Sequence, residues 1–246
     1  MGGRGSTYVK AAPATALAPG SAPTPSGYTL SDLQNMGDRQ LHDLLIDVDS
    51  IDMPDFLNTR SHLQRMLYAL GANDKPEIVS QAAFNAEVAS GGTEIWRTVP
   101  DTDLQGYTAI SAGRIQQMLL YGDLTYVGRG IHGDGLYFSD SESGSKLYGS
   151  SYQGKSATID CVLNSKARVI SENQLKTEYD RWVQTHPQSR RALGFAKQSH
   201  NSHDSYAQFA LIRGYNVITS YQGGGEYYYT ILDRGVLSTT GAIEKF

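Results

Sequence analysis

Tyr126-Val-Gly-Arg-Gly-Ile-His-Gly-Asp-Gly-Leu-Tyr-Phe-Ser-Asp140 is a glycine-rich run that ends in a short apolar segment. Gly128, Gly130, Gly133 and Gly135 let backbone come close to something flat or anionic, and Leu136 to Ser139 then reads as a strand. The glycine loops of dinucleotide-binding and Walker folds open a helix, whereas this one opens a strand, so those folds are disfavoured. His132 within the run has two readings, a general base or a residue that hydrogen-bonds backbone in a tight turn, and the second is the simpler.

Outward from this run, strands and helices alternate irregularly. Thr93 to Val99 reads as a strand; Ser111 to Tyr121 reads as a helix, with Ile115, Met118 and Leu119 on one stripe and Gly122 as its stop. Ala157 to Leu163 alternates strictly, which makes Cys161 a small buried hydrophobe rather than a reactive thiol. Ser171 caps a helix through Trp182, and His203 or Asp204 caps another through Arg213. Tyr215 to Thr219 and the tyrosine-rich Glu226 to Leu232 are strands. Long loops between unlike elements predict an α+β fold, not a doubly wound parallel sheet.

Ahead of this region, residues 28–91 have helical period. Leu30, Leu33 and Met36 precede Gly37, Leu63, Met66, Leu67 and Leu70 repeat at helical spacing, and Ser80 to Ser90 carries Phe84 and Val88. This predicts a small helical subdomain. Its acidic loop, Asp47, Asp49, Asp52 and Asp55, lacks calcium-loop spacing and reads as a solvated turn. Residues 1–27, rich in Gly, Ala and Pro, hold too few large apolar side chains to offset the entropy of ordering and predict a disordered arm. The remaining residues, 92–246, form the third predicted unit.

Composition narrows the function classes. The 246 residues hold 21 Lys and Arg against 25 Asp and Glu, so no basic field exists to grip phosphate backbones without sequence preference. One cysteine permits neither an internal disulfide nor a cysteine-based zinc cluster, and no metal site is expected. No window nears the roughly 20 apolar residues of a membrane span, and no signal peptide is visible. The single cysteine suits a reducing compartment, and a cytoplasmic location is expected.

Two further segments carry chemistry. In Ile95-Trp-Arg97-Thr-Val99, Arg97 shares a strand face with Ile95 and Val99 and points inward. Its guanidinium calls for an anionic partner, either a structural carboxylate or a ligand phosphate. In Gln222-Gly-Gly-Gly-Glu226, a glycine run delivers a carboxylate to the start of a strand. Glu226 is then either a solvated strand-end charge or a fixed anion that stabilises positive charge developing on a sugar.

The order of these features resembles that of a known superfamily. Gly135-Leu-Tyr137-Phe-Ser-Asp-Ser-Glu-Ser-Gly-Ser145-Lys-Leu-Tyr148 is similar, without a gap, to the NAD-site segment of the poly(ADP-ribose) polymerase and mono-ADP-ribosyltransferase superfamily. Together with Asn73-Asp-Lys-Pro, the segments around Arg97 and Gly128, and Glu226-Tyr-Tyr-Tyr-Thr-Ile-Leu-Asp-Arg-Gly-Val-Leu, it resembles most the domains encoded with phage head-morphogenesis proteins and the related toxins.

That resemblance implies split mixed β-sheets with flanking helices, and NAD as a substrate. It implies that Arg97, with Thr98 beside it, binds NAD phosphate or ribose. Tyr137 and Tyr148 pack on the nicotinamide ring, Ser145 hydrogen-bonds its carboxamide, and Gly135 admits the ring. Glu226 takes the place of the catalytic glutamate, which holds the nicotinamide ribose 2′-hydroxyl and stabilises an oxocarbenium-like transition state. The implied activity is a glycosyltransferase reaction that passes ADP-ribose to a macromolecular acceptor, a protein in the first instance, with nucleic acid left open. NAD glycohydrolysis and a non-catalytic virion role are the alternatives. Arginine rather than histidine at position 97 favours transfer of a single unit. Gly224 stands where arginine-modifying members carry Glu, and Phe138-Ser139-Asp140 replaces the Ser-Thr-Ser strand of many toxins.

Overall fold

The computed structural model describes residues 40, 67, 74–101, 111–122, 128–130, 133–149, 155–185 and 204–245. Among them the chain is a mixed α+β protein built on one large sheet with a few helices. In chain order the elements are β1 (Glu77–Ile78), α1 (Gln81–Ala89), β2 (Thr93–Pro100), α2 (Ala112–Tyr121), β3 (Gly128–Gly130) and β4 (Gly133–Ser139). There follow α3 (Glu142–Gly149), β5 (Ser156–Leu163), β6 (Val169–Ser171), α4 (Glu172–Thr185) and α5 (Asp204–Ile212). β7 (Val217–Gly223), β8 (Glu226–Ile231), a 3₁₀ turn (Arg234–Val236), β9 (Leu237–Thr239) and β10 (Glu244–Lys245) complete the series.

The strand order is β1-β9-β5-β2-β4-β8-β7-β6, with β10 pairing β5 and β3 pairing β4. β1 runs parallel to β9 and β6 parallel to β7, while the remaining pairs are antiparallel. Val217 and Ile218 are neighbours in β7 yet belong to different cores, so the two cores lie on opposite faces of the sheet. On one face Ile95, Val99, Leu136, Phe138, Ile159 and Cys161 pack against Ile115 and Leu119 of α2. On the other, Ile170 and Ile218 meet Leu175 and Tyr179 of α4 and Phe209 and Ala210 of α5. Each large side chain so buried contributes roughly 1.5–3 kcal/mol. Arg97, on the same strand face as Ile95 and Val99, is half-buried.

Several expectations change here. The glycine run predicted as a loop before a strand is instead a hairpin: β3 pairs β4 from Gly128↔Gly135 to Gly130↔Gly133. Glycine lacks the side-chain alternation that marks a strand, but its backbone donors and acceptors pair as well as any. The sheet also takes in residues assigned from sequence to the helical subdomain. β1 pairs β9 at Glu77↔Ser238, and Ser238 Oγ donates to Glu87 Oε1 of α1 at 3.3 Å, so the boundary expected at residues 91/92 falls inside one hydrogen-bonded unit. Leu67 is helical and packs in the second core. The arm at 1–27, most of the predicted helices of 28–73, the acidic loop and His132 lie outside the described residues.

Candidate functional site

The three strands that carry Arg97, Tyr137 and Glu226 are consecutive in the sheet, β2-β4-β8. β2 pairs its other neighbour, β5, without interruption from Thr93↔Leu163 to Pro100↔Ser156. Between β2 and β4, among the described residues, a single pair holds the ladder, Trp96↔Ser139. Beyond it the strands part, and the Arg97 guanidinium spans the opening, Nη1 donating to the Tyr137 carbonyl at 2.7 Å. The side chain thereby satisfies a backbone acceptor that the ladder would otherwise have served. One partner of Arg97 is thus a neutral carbonyl.

α3 is anchored to this place from both ends of its first turn. Ser141 caps it, Oγ accepting from Gly144 N at 3.0 Å, and Ser141 N in turn donates to Ser139 Oγ at 3.1 Å. One residue further, Ser145 Oγ lies 2.9 Å from Thr98 Oγ1, and Thr98 Oγ1 lies 2.9 Å from Thr158 Oγ1 of β5. The serine expected to read a carboxamide is thus 4% exposed and joined in a chain of three buried hydroxyls. The side chain of Tyr148 lies outside the described residues, although its backbone belongs to α3.

Glu226 enters from the β7–β8 hairpin. Gly223, Gly224 and Gly225 have φ of 94°, 64° and 88°, left-handed values that only glycine adopts readily three times in succession. Glu226 is half-buried and its carboxylate lies over α3: a Cβ built on Gly144 stands 2.6 Å from Oε2. The first turn of a helix, with its N–H groups directed outward, favours an anion there. Gly135 has a packing reason of its own, because a Cβ on it would come within 2.4 Å of Thr230 Cγ2 in β8.

A second carboxylate adjoins Glu226. Asp140 N donates to Tyr227 O at 3.1 Å, and Asp140 Oδ1 accepts from Tyr227 N at 2.8 Å. Burial first, and the Glu226 charge in addition, hold the Asp140 carboxyl above the ordinary aspartate range, against the lowering effect of its backbone hydrogen bonds. Burial likewise pushes the nearby Tyr229 phenol up to about 12.

The structure therefore brings Arg97 to Tyr137, Thr98 to Ser145, and Glu226 to α3, one residue from Ser145. Sequence reasoning did not single out Asp140, Gly144 or Thr158. Asp140 carried a usable signal, a carboxylate directly after the strand that bears Tyr137; Gly144 and Thr158 carried none until the pairing partners were known. Among the described residues no group of His, Cys, Asp and Glu could hold a metal ion, and no helix is long and apolar enough to cross a membrane. Comparison with protein-family models, curated proteins and solved structures gave no match.

Proposed function

We propose that this chain is a mono-ADP-ribosyltransferase, with the split mixed sheet of that superfamily, that cleaves NAD at the nicotinamide–ribose bond and transfers ADP-ribose to a macromolecular acceptor. The observation that supports this best is the order β2-β4-β8 together with the opening of the β2–β4 ladder at Arg97. It gathers onto adjacent strands three residues separated by 40 and more positions in sequence.

The chemistry follows from the residue types. Arg97 offers a fixed fork of donors to an NAD phosphate or ribose. Tyr137 supplies a flat face for the nicotinamide ring, and Ser145 a hydroxyl that both donates and accepts. Glu226, held by the hairpin against α3, supplies the negative charge that stabilises an oxocarbenium-like sugar as nicotinamide leaves. A second reading, NAD glycohydrolysis, draws on Gly224: no side chain projects from the hairpin at that position to orient an acceptor, so water can take its place.

Nicotinamide release from NAD, measured with and without cell lysate and beside Glu226→Gln, tests both readings. Release that needs lysate and leaves labelled ADP-ribose on a macromolecule is the expected result. Equal release without lysate establishes the glycohydrolase, and absence of release in either condition rejects both.

A further inference from the structure

Glu226 is one carboxylate of the site, and the hairpin that presents it contributes no other. Gly224, two residues earlier, sits at φ 64° with nothing within 4 Å of a Cβ built there. A carboxylate does arrive from the neighbouring strand. The register Ser139↔Tyr228 places Asp140 across from Tyr227, next to Glu226 along β8. Asp140 then grips both polar backbone groups of Tyr227, donating to its carbonyl at 3.1 Å and accepting from its N–H at 2.8 Å through Oδ1. The grip fixes the carboxyl group through one oxygen and keeps it partly exposed at the strand end.

We infer that Asp140 is the acceptor-side general base of this site, an inference that rests on the proposed NAD-cleaving function. In the step it serves, the bond between the ribose C1′ and the pyridinium nitrogen breaks and its electron pair leaves with nicotinamide. The acceptor oxygen forms the new bond to C1′, and its proton passes to the Asp140 carboxylate and then to solvent. NAD and an acceptor hydroxyl, or water, thus give nicotinamide, the ADP-ribosylated acceptor and one proton. Glu226 keeps its charge throughout. From β8 the Tyr227 backbone bonds Asp140, and burial together with the Glu226 charge makes its carboxylate a better proton acceptor than an exposed aspartate.

Asp140→Asn separates the base from the grip, since the amide oxygen still accepts from Tyr227 N–H while the side chain no longer takes up a proton. Nicotinamide release by the wild type, Asp140→Asn and Glu226→Gln is measured with and without sodium azide, beside NAD affinity by calorimetry. Asp140→Asn is expected to bind NAD within about threefold of wild type and to lose release by about 10²-fold. Azide, a nucleophile with no proton to shed, restores most of that loss in Asp140→Asn and none in Glu226→Gln. Asp140→Glu, which keeps a base and moves it by one methylene, falls less and gains nothing from azide. Wild-type release by Asp140→Asn overturns the inference while an inactive Glu226→Gln leaves the proposed function standing. Loss of release that azide does not restore also overturns it, leaving Asp140 a structural grip. A wild type that releases no nicotinamide overturns the proposed function and this inference together.

Discussion

The carboxylate of Glu226 occupies the space that a side chain at Gly144 would fill: a Cβ on Gly144 falls 2.6 Å from Oε2 and 3.0 Å from Cδ. The clash is with the far end of a flexible side chain, so Gly144→Ala costs little in folding. Inside a helix the exchange even gains on the order of 0.5–1 kcal/mol, because alanine has less chain entropy to lose. The carboxylate, however, must move aside. Gly144→Ala is therefore expected to melt at or slightly above the wild-type temperature while nicotinamide release drops at least about tenfold, as a displacement near 1 Å does to a positioned group. A thermal melt and a turnover measurement on the same preparation check this; undiminished turnover would show that Glu226 does not need its place over α3.

Arg97→Ala removes the guanidinium that spans the opening between β2 and β4. Affinity for NAD is expected to fall by about 10–100-fold, the range for losing a charge-assisted contact, and Arg97→Lys, which keeps the charge but not the fork, is expected to fall between. Calorimetry with NAD checks the order; equal affinity in all three proteins removes Arg97 from the binding site.

How much of this was legible in the sequence differs from element to element. The strand that carries Arg97 and the strand that carries Cys161 were legible because large side chains alternate along them, and alternation survives whatever the partner strand is. Ser171 was legible as a cap because capping is local, and its Oγ accepts from Gln174 N. α3 was not, since Glu-Ser-Gly-Ser carries a loop-like composition and the helix is held by Ser141 beneath it and Thr98 behind it. β1, β9 and β10 hold two or three residues each, too few for a period, and exist because a neighbouring strand offers backbone partners, β5 to β9 and β10, and β9 to β1. Of the site, residue types and chain order were visible, but the closeness of Glu226 to Gly144 and of Thr98 to Ser145 depends on strand register, which no single segment encodes.

Arg234 opens the 3₁₀ turn Arg234–Val236 and is 0% exposed. Its guanidinium donates to the carbonyls of Met118, Leu119 and Gly122 at 2.8, 3.0 and 2.6 Å, closing the C-terminus of α2 where outward carbonyls favour a cation. Arg234→Met leaves three acceptors without that donor and is expected to cost about 3 kcal/mol. Arg213→Ala, which breaks an exposed 3.5 Å pair with Glu178, is expected to cost under about 0.5 kcal/mol. Urea unfolding of both variants checks the contrast, and equal midpoints would remove the helix-closing role.

Asp233 sets a pH dependence of the opposite sign to that of a salt-bridged carboxylate. Its Oδ1 accepts from Gly235 N at 3.0 Å, which caps the turn Arg234–Val236 and lowers its pKa, as Arg234 and Lys166 also do. Burial outweighs these effects, and Asp74 adds to it, so the carboxyl rises from 3.8 to about 6. Between these values the folded protein keeps a proton that the unfolded chain has released, so this contribution to stability is complete below about pH 4 and is lost as pH rises through about 6. Asp233→Asn keeps an oxygen for Gly235 N–H and removes the titration. It is expected to match the wild type near pH 4 and to exceed it near pH 7 by on the order of 1–3 kcal/mol. Urea unfolding of the two proteins across that range checks the difference between them, in which the other carboxylates cancel. A difference that stays constant with pH would mean that Asp233 is ionised in the folded protein throughout.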